Sequence, residues 1–306
     1  MTPEAPATEL KMPAPLRPGD RVAILSPSSI IKPQVVYTAM PVLADEGWVT
    51  YVGEHTFDRD GSYAGTDEAR YSDLETALLD PDTRAIFCAR GGYGAVHLLE
   101  ALDRLPLADD PKWIVGYSDI SALHALMQKH GVQSIHAPMM KHISESGGRD
   151  ADSQRLFALL RGERQEIKLP GNRLDRTGTA TGVLFGGNLA VCAGLIGTPF
   201  SPLRPDTILF VEDIAEPIYK VERIFYNLRL GGILGSLRGL IVGRFTDYAS
   251  DRDNSSMEEM ISHLVADYTY PVAFGVPIGH VSHNIPLVCG RETTLTVTAS
   301  SVTIIN

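Results

Sequence analysis

Short apolar runs alternate with amphipathic stretches through the first half of the chain. Residues 21–26 (RVAILS) read as a buried strand that stops at Pro27, and 35–46 have helical spacing that ends at Gly47. A strand over 48–52, an amphipathic helix over 69–79 and a strand over 85–88 follow. A helix over 94–105, a strand over 113–115 and a helix over 121–130, closed by Gly131, continue the pattern. Apolar strands alternating with helices predict a parallel sheet covered on both faces. Beyond 161–176, a polar stretch with Pro and Gly, the pattern changes. Glycine turns, strands at 208–211 and 240–242, a helix over 218–230 and a terminal alternation (TTLTVTASSVTII) predict a β-rich region with few helices. The expected organisation is an α/β domain over 1–165, a linker over 166–180 and a smaller β-rich domain over 181–306. Residues 1–19, rich in Pro and Ala, read as a loose arm.

Composition narrows the function. The 306-residue chain carries a net charge of -10, so there is no excess of Lys and Arg to neutralise a phosphate backbone, and nucleic acid is not an expected partner. Cys88, Cys192 and Cys289 are far apart and read as buried free thiols rather than a disulfide framework. The first residues lack a secretory layout, and no apolar run reaches the roughly 18 residues needed to span a bilayer. A cytoplasmic protein without a membrane partner is the expectation.

The most informative segment is WIVGYSDISALHALMQKH, residues 113–130. An apolar strand ends in Gly116-Tyr117-Ser118-Asp119, and a helix follows almost at once. A serine on such a turn projects its hydroxyl at a helix N-terminus, where unpaired N–H groups favour negative charge, as acyl transfer requires. Helix capping by Ser118 or Asp119 explains the same residues. Ile120 occupies the place of the second glycine of G-x-S-x-G, so the elbow of the α/β-hydrolases is not matched. Upstream, the strand at 85–88 runs into Arg90-Gly91-Gly92-Tyr93-Gly94. Its glycines let backbone approach a ligand at the carboxyl end of a strand, or simply make a tight turn.

The second half offers an acid and a base. The strand at 207–211 ends in Glu212-Asp213, whose side chains should face opposite ways. His280, in PIGHVSHN, follows a glycine in a turn and has the chemistry of a general base. A zinc site is disfavoured. His280 and His283 are H-x-x-H, but His124, His130, His136 and His142 recur at six-residue intervals, which do not share a helix face.

Taken in order, LRPGDRVAILSPSS, AGTDEARYSDL, FCARGGYGAVHLLEALD, GYSDISALH, VLFGGNLAV with GTPF, LFVEDIAEPIYKVERIFYNL and GHVSHN resemble the LD-carboxypeptidase family of serine peptidases, from Leu16 to the C-terminus. The resemblance implies a Rossmann/flavodoxin-like N-terminal domain, a smaller β-rich C-terminal domain, a cleft between them and a homodimer. It implies a triad of Ser118, Glu212 and His280. It also implies an oxyanion hole from the N–H groups of Asp119 and a glycine of the RGGYG loop, here Gly92 rather than Gly91. Murein tetrapeptides, cut before a terminal D-Ala, are the implied substrates, with no cofactor and no metal. A free carboxylate must then be recognised, and Arg90 and Arg223 are the candidates for a bidentate contact. Ala137, where glycine is usual, the early proline in NIPLVCG and the additional His283 depart from the family pattern near the His280 loop.

Three other readings compete. The microcin-immunity branch of the same family hydrolyses peptidyl-nucleotides, but the segment 142–182 offers only Phe157 as an aromatic for stacking. A non-catalytic peptide-binding protein and a zinc peptidase are the readings from other classes. Trp48 and Trp113 are expected in the core.

Overall fold

The computed structural model describes residues 8–252 and 256–306; residues 1–7 of the expected arm lie outside the described residues. Two compact units emerge, one formed by Leu10–Arg164 with Ile285–Cys289, the other chiefly by Gln165–Asn284 with Gly290–Asn306. The first unit holds β1 (Arg21–Leu25), β2 (Val49–Val52), β3 (Thr83–Cys88), β4 (Trp113–Gly116) and β5 (Ser134–His136). The second holds β6 (Glu166–Pro170), β7 (Gly178–Asn188), β8 (Thr207–Ile214), β9 (Gly239–Thr246) and β10 (Val272–Phe274). Near the C-terminus, β11 (Leu287–Cys289) belongs to the first unit, and β12 (Glu292–Val297) and β13 (Ser301–Ile305) to the second.

The first sheet runs β11-β5-β4-β3-β1-β2, with β1 to β5 parallel and β11 antiparallel on β5. The order of the parallel strands, 2-1-3-4-5, is that of a flavodoxin-like sheet, whose direction of winding reverses between β1 and β3. Ligands of such sheets bind beyond the carboxyl ends of the strands at that reversal. The RGGYG loop after β3 therefore stands at the place the topology reserves for a site, and the Ser118 turn after β4 is one strand away. Strands buried on both faces must be continuously apolar, and Val22 to Leu25, Ala85 to Cys88 and Trp113 to Val115 are all at most 1% exposed. Trp113 and Phe87 are wholly buried in this core, and Trp48, immediately before β2, meets Phe157 edge-on at 5.7 Å between ring centroids.

The expected loose arm is tied down from Lys11 onward. Lys11 N–H donates to Gly131 O at 2.8 Å, Leu16 N–H to Leu160 O at 2.7 Å, and Trp113 Nε1–H to Ala14 O at 3.0 Å. Prolines at 13, 15 and 18 lack amide donors, so this strap is held by the amides of Lys11 and Leu16, the carbonyls of Lys11 and Ala14, and the buried side chain of Leu16.

The second sheet runs β10-β9-β8-β7-β12-β13-β6. Its β7–β10 half is parallel and its remaining half antiparallel, a mixed sheet that makes this region β-rich as expected. Helices Leu189–Gly194, Ile218–Leu230 and Met257–Leu264 accompany the parallel half. Val221, Phe225 and Leu228, on one stripe of the middle helix, are at most 1% exposed and join a core with Leu209, Val211, Leu240 and Val242. Residues 166–180, expected as a linker, contain β6, which pairs with the C-terminal β13. No helix among the described residues is long and apolar enough to cross a membrane.

Candidate active site

Ser118 begins a short 3-10 turn, Ser118–Ile120, that leads into the helix Ser121–Lys129. Its φ is +66°, in the left-handed region that costs a non-glycine L-residue roughly 1–2 kcal/mol. A strained serine between strand and helix is the geometry of a nucleophile elbow, achieved without the second glycine. The fit comes from the other end of the turn. A Cβ on Gly116 would lie 3.0 Å from Ile120 Cγ1 and 3.2 Å from Cys88 Cβ, so the glycine before the turn makes room for the isoleucine after it. The positions immediately before the 3-10 turn and the helix, Tyr117 and Ile120, lack a side-chain cap bond.

Other buried groups fix the turn from behind. His124 Nε2–H donates to Gly116 O at 2.8 Å, while Nδ1 accepts from Ser134 Oγ at 2.9 Å. Burial pushes the His124 pKa down to about 4, so the imidazole is a neutral spacer at working pH. Asp119, 3% exposed, receives hydrogen bonds on Oδ2 from Ser28 Oγ at 2.6 Å and from Ala95 N–H at 2.9 Å.

The RGGYG loop lies against the serine. A Cβ on Gly91 would stand 2.9 Å from Ser118 Cβ and 3.1 Å from its Oγ, so only glycine fits. At Gly92 (φ +118°) a Cβ would fall 2.1 Å from Ser29 Oγ. It is thus the Cα of Gly91 that faces Ser118, while that of Gly92 faces Ser29. Tyr93 N–H donates to Ser29 Oγ at 3.3 Å, which commits that amide to the loop itself. Arg90 is exposed and donates from Nη1 to Ile30 O at 2.9 Å.

The second unit supplies a carboxylate and an imidazole already paired. Glu212 is fully buried, and its Oε2 accepts from His280 Nδ1–H at 2.8 Å. That bond fixes the tautomer and leaves Nε2 as the basic nitrogen when the ring is neutral. Burial opposes the charged imidazolium. The hydrogen bond and charge of Glu212, with Asp213 and Asp247 nearby, outweigh it, and the His280 pKa is raised above its ordinary value. A Cβ on Gly279 (φ +107°) would come within 2.4 Å of Glu212 Oε2, so glycine before the histidine is a condition of the pair. Asn284 Oδ1 accepts from Gly279 N–H at 2.9 Å and closes the loop. The departures from the family pattern flank that closure: His283 is exposed, and Pro286 immediately precedes β11.

Glu212 and Asp213 do face opposite ways. Asp213 accepts from Asn188 Nδ2–H and Ala190 N–H, both at 2.8 Å, and burial raises its pKa to about 6. The pairing of β8 with β9 slips by one residue here, leaving Gly243 and Arg244 both opposite Glu212. Bulges re-aim side chains and recur beside active sites. This one also directs Arg244 N–H onto Ile278 O at 3.0 Å, bracing the loop that carries His280. Arg223 is exposed and lies over the Tyr219 ring at 5.6 Å. The expected residues thus fall into two groups, Arg90, Gly92, Ser118 and Asp119 in the first unit and Glu212, Arg223 and His280 in the second. Ser28, Ser29, His124 and the bulge carried no recognised signal, although the serine pair follows directly on a strand end at Pro27.

Comparison with known proteins identifies the chain as a hydrolase and gives its family. The LD-carboxypeptidase N-terminal domain matches residues 22–137 and the corresponding C-terminal domain residues 181–295. The murein tetrapeptide carboxypeptidase of Pseudomonas aeruginosa is 32% identical over 277 residues, covering 86% of this chain and 89% of that protein. The crystal structure of muramoyltetrapeptide carboxypeptidase from Oxalobacter formigenes superposes with a TM-score of 0.85 at 29% identity, covering 94% of this chain and 98% of that one. An MccF-like protein of Bacillus anthracis shares the fold, with a TM-score of 0.86 at 23% identity over 97% and 99% of the two chains. This chain belongs to the LD-carboxypeptidase family.

Proposed function

We propose that this carboxypeptidase releases the terminal D-amino acid from murein tetrapeptides through an acyl-enzyme on Ser118. The observation that carries the reading is the buried Glu212 carboxylate on His280 Nδ1 at 2.8 Å. An imidazole held in that way is a general base with a fixed tautomer. His280 Nε2 takes the Ser118 proton as Oγ attacks the carbonyl between the L-centre and the D-residue. Asp119 N–H and Gly92 N–H hold the tetrahedral oxyanion. The imidazolium, stabilised by Glu212, then gives its proton to the leaving amine. Water, activated by the same histidine, releases the shortened peptide. Arg90 and Arg223 are assigned to the substrate's free carboxylates, since neither makes an ion pair with another described residue. The relatives' names support the choice of substrate. The same reading makes the protein a cytoplasmic homodimer.

Turnover of a tetrapeptide ending in D-Ala by the Ser118→Ala and His280→Ala variants tests the chemistry. Each is expected to lose at least about 10³-fold in kcat, since members of a triad act as a unit. A folded variant that retains more than about a tenth of the activity would contradict the assignment. An all-L tetrapeptide and a peptidyl-nucleotide, assayed beside it, test the specificity; both are expected to be poorer substrates.

A further inference from the structure

The two amides assigned to the oxyanion belong to different loops, Gly92 after β3 and Asp119 after β4. Their separation depends on whatever ties these loops together. The tie is the Asp119 side chain. One oxygen, Oδ2, receives both Ser28 Oγ–H (2.6 Å) and Ala95 N–H (2.9 Å). Ala95 opens the 3-10 turn that directly follows the RGGYG loop. Ser28 lies on the loop after β1, and its neighbour Ser29 grips the glycine loop at two points. Ser29 N–H donates to Gly91 O and Ser29 Oγ accepts from Tyr93 N–H, both at 3.3 Å. The contacts close a ring running from Asp119 through Ser28, Ser29, Gly91 to Tyr93 and Ala95 back to Asp119. Ser28 and Ala95 are fully buried and Asp119 nearly so, so water does not compete for these bonds. Arg70, also buried, donates from Nη1 to Pro27 O at 2.6 Å and holds the β1 loop from its other side.

We propose that the Asp119 carboxylate is a positioning residue that sets the spacing of the two oxyanion donors, acting through Ser28 and Ala95. The inference rests on the serine-hydrolase reading given above. An oxyanion hole works only when its donors stand about 2.7–3.1 Å from the charge that develops, so a shift of one loop is felt in the transition state and not in the bound substrate. Neutralising the carboxylate weakens both bonds on the shared oxygen at once.

The test begins with the wild-type enzyme and a fluorophosphonate probe. Labelling at Ser118 is expected; failure to label it would remove the nucleophile and, with it, both the reading and this inference. In Asp119→Asn, kcat is expected to fall about 10²-fold with KM changed less than about threefold. Affinity for a peptidyl boronate, which mimics the tetrahedral state, should drop by the same factor as kcat/KM. Ser28→Ala should show the same signature at about tenfold. The double variant should be no worse than Asp119→Asn alone, because the two residues share one network. Probe labelling counts the competent sites in each variant, which separates misplacement of the donors from loss of folded protein. A labelled wild type together with a folded Asp119→Asn whose kcat is within threefold of it would overturn this inference and leave the reading intact. A variant in which KM rises while boronate affinity holds would do the same. Should Asp119→Asn not fold, Ser28→Ala decides alone: a kcat within twofold of wild type overturns the proposal.

Discussion

The Ser118 turn and the His280 loop, which carry the proposed nucleophile and base, hold their side chains by opposite means. Ser118 is held by backbone: a left-handed φ of +66°, with Gly116 yielding space to Ile120 and Gly91 to the serine itself. His280 is held by charge, its imidazole bound to a carboxylate that has no exposed surface. Strain fixes an orientation at every pH, because nothing in it titrates. A buried ion pair fixes an orientation only while its proton inventory allows. The first region should therefore answer to changes of residue shape, and the second to changes of charge and pH.

The largest effect that would sharpen this contrast is expected from Glu212→Gln, which keeps the shape and removes the charge. At neutral pH, kcat/KM should fall by about 10⁴-fold, as loss of the orienting acid does in comparable triads. The pH profile carries the sign. On the proposed mechanism His280 must be neutral to act as base, so wild-type activity is expected to fall as pH drops through its raised pKa. Without Glu212, burial dominates, and the acid limb should move to lower pH. The stability linkage runs the other way. A histidine whose folded pKa is raised contributes stability that is complete below its unfolded pKa and lost as pH rises through the folded value. Denaturant titrations at pH 5 and pH 9 should show Glu212→Gln losing more at pH 5. An unmoved acid limb would break the comparison.

Gly279→Ala comes next. Its Cβ would fall 2.4 Å from Glu212 Oε2, on a backbone with φ +107°. A displaced imidazole is expected to cost about 10² in kcat, with activity not restored by raising the pH. The smallest effect is on stability at the first region. Ser118→Ala and Ser118→Gly both remove the proposed nucleophile, but only glycine is at ease at φ +66°. Thermal melts should place the glycine variant above the alanine variant by about 1 kcal/mol. Equal melting points would show that the turn is not strained.

The sequence was most legible where a segment needed no distant partner to be read. The helix over 218–230 and the strands around 85–88 and 113–115 follow from local apolar spacing, and the observed elements agree to within a few residues. The short β11 was illegible, because three residues at the C-terminal end make sense only beside β5, some 150 positions earlier in the chain. The strand within 166–180 was illegible for the same reason: β6 acquires its meaning from β13. The ring through Ser28, Asp119 and Ala95 was equally hidden, for each of these residues taken singly is an ordinary loop or cap residue.

What the sequence by itself determined is the alternation of strand and helix, the placing of a serine between β4 and its helix, and a set of ordered motifs specific enough to give the family. Only the tertiary structure decided that Ser118 is left-handed, that Gly91 faces it, and that Glu212 meets His280 Nδ1 while Asp213 turns to Asn188. The physical reason is that composition and periodicity encode which surfaces must leave water. The direction of a side chain at a strand end depends on the one-residue slip between β8 and β9, and on loops from remote parts of the chain that crowd out every residue but glycine.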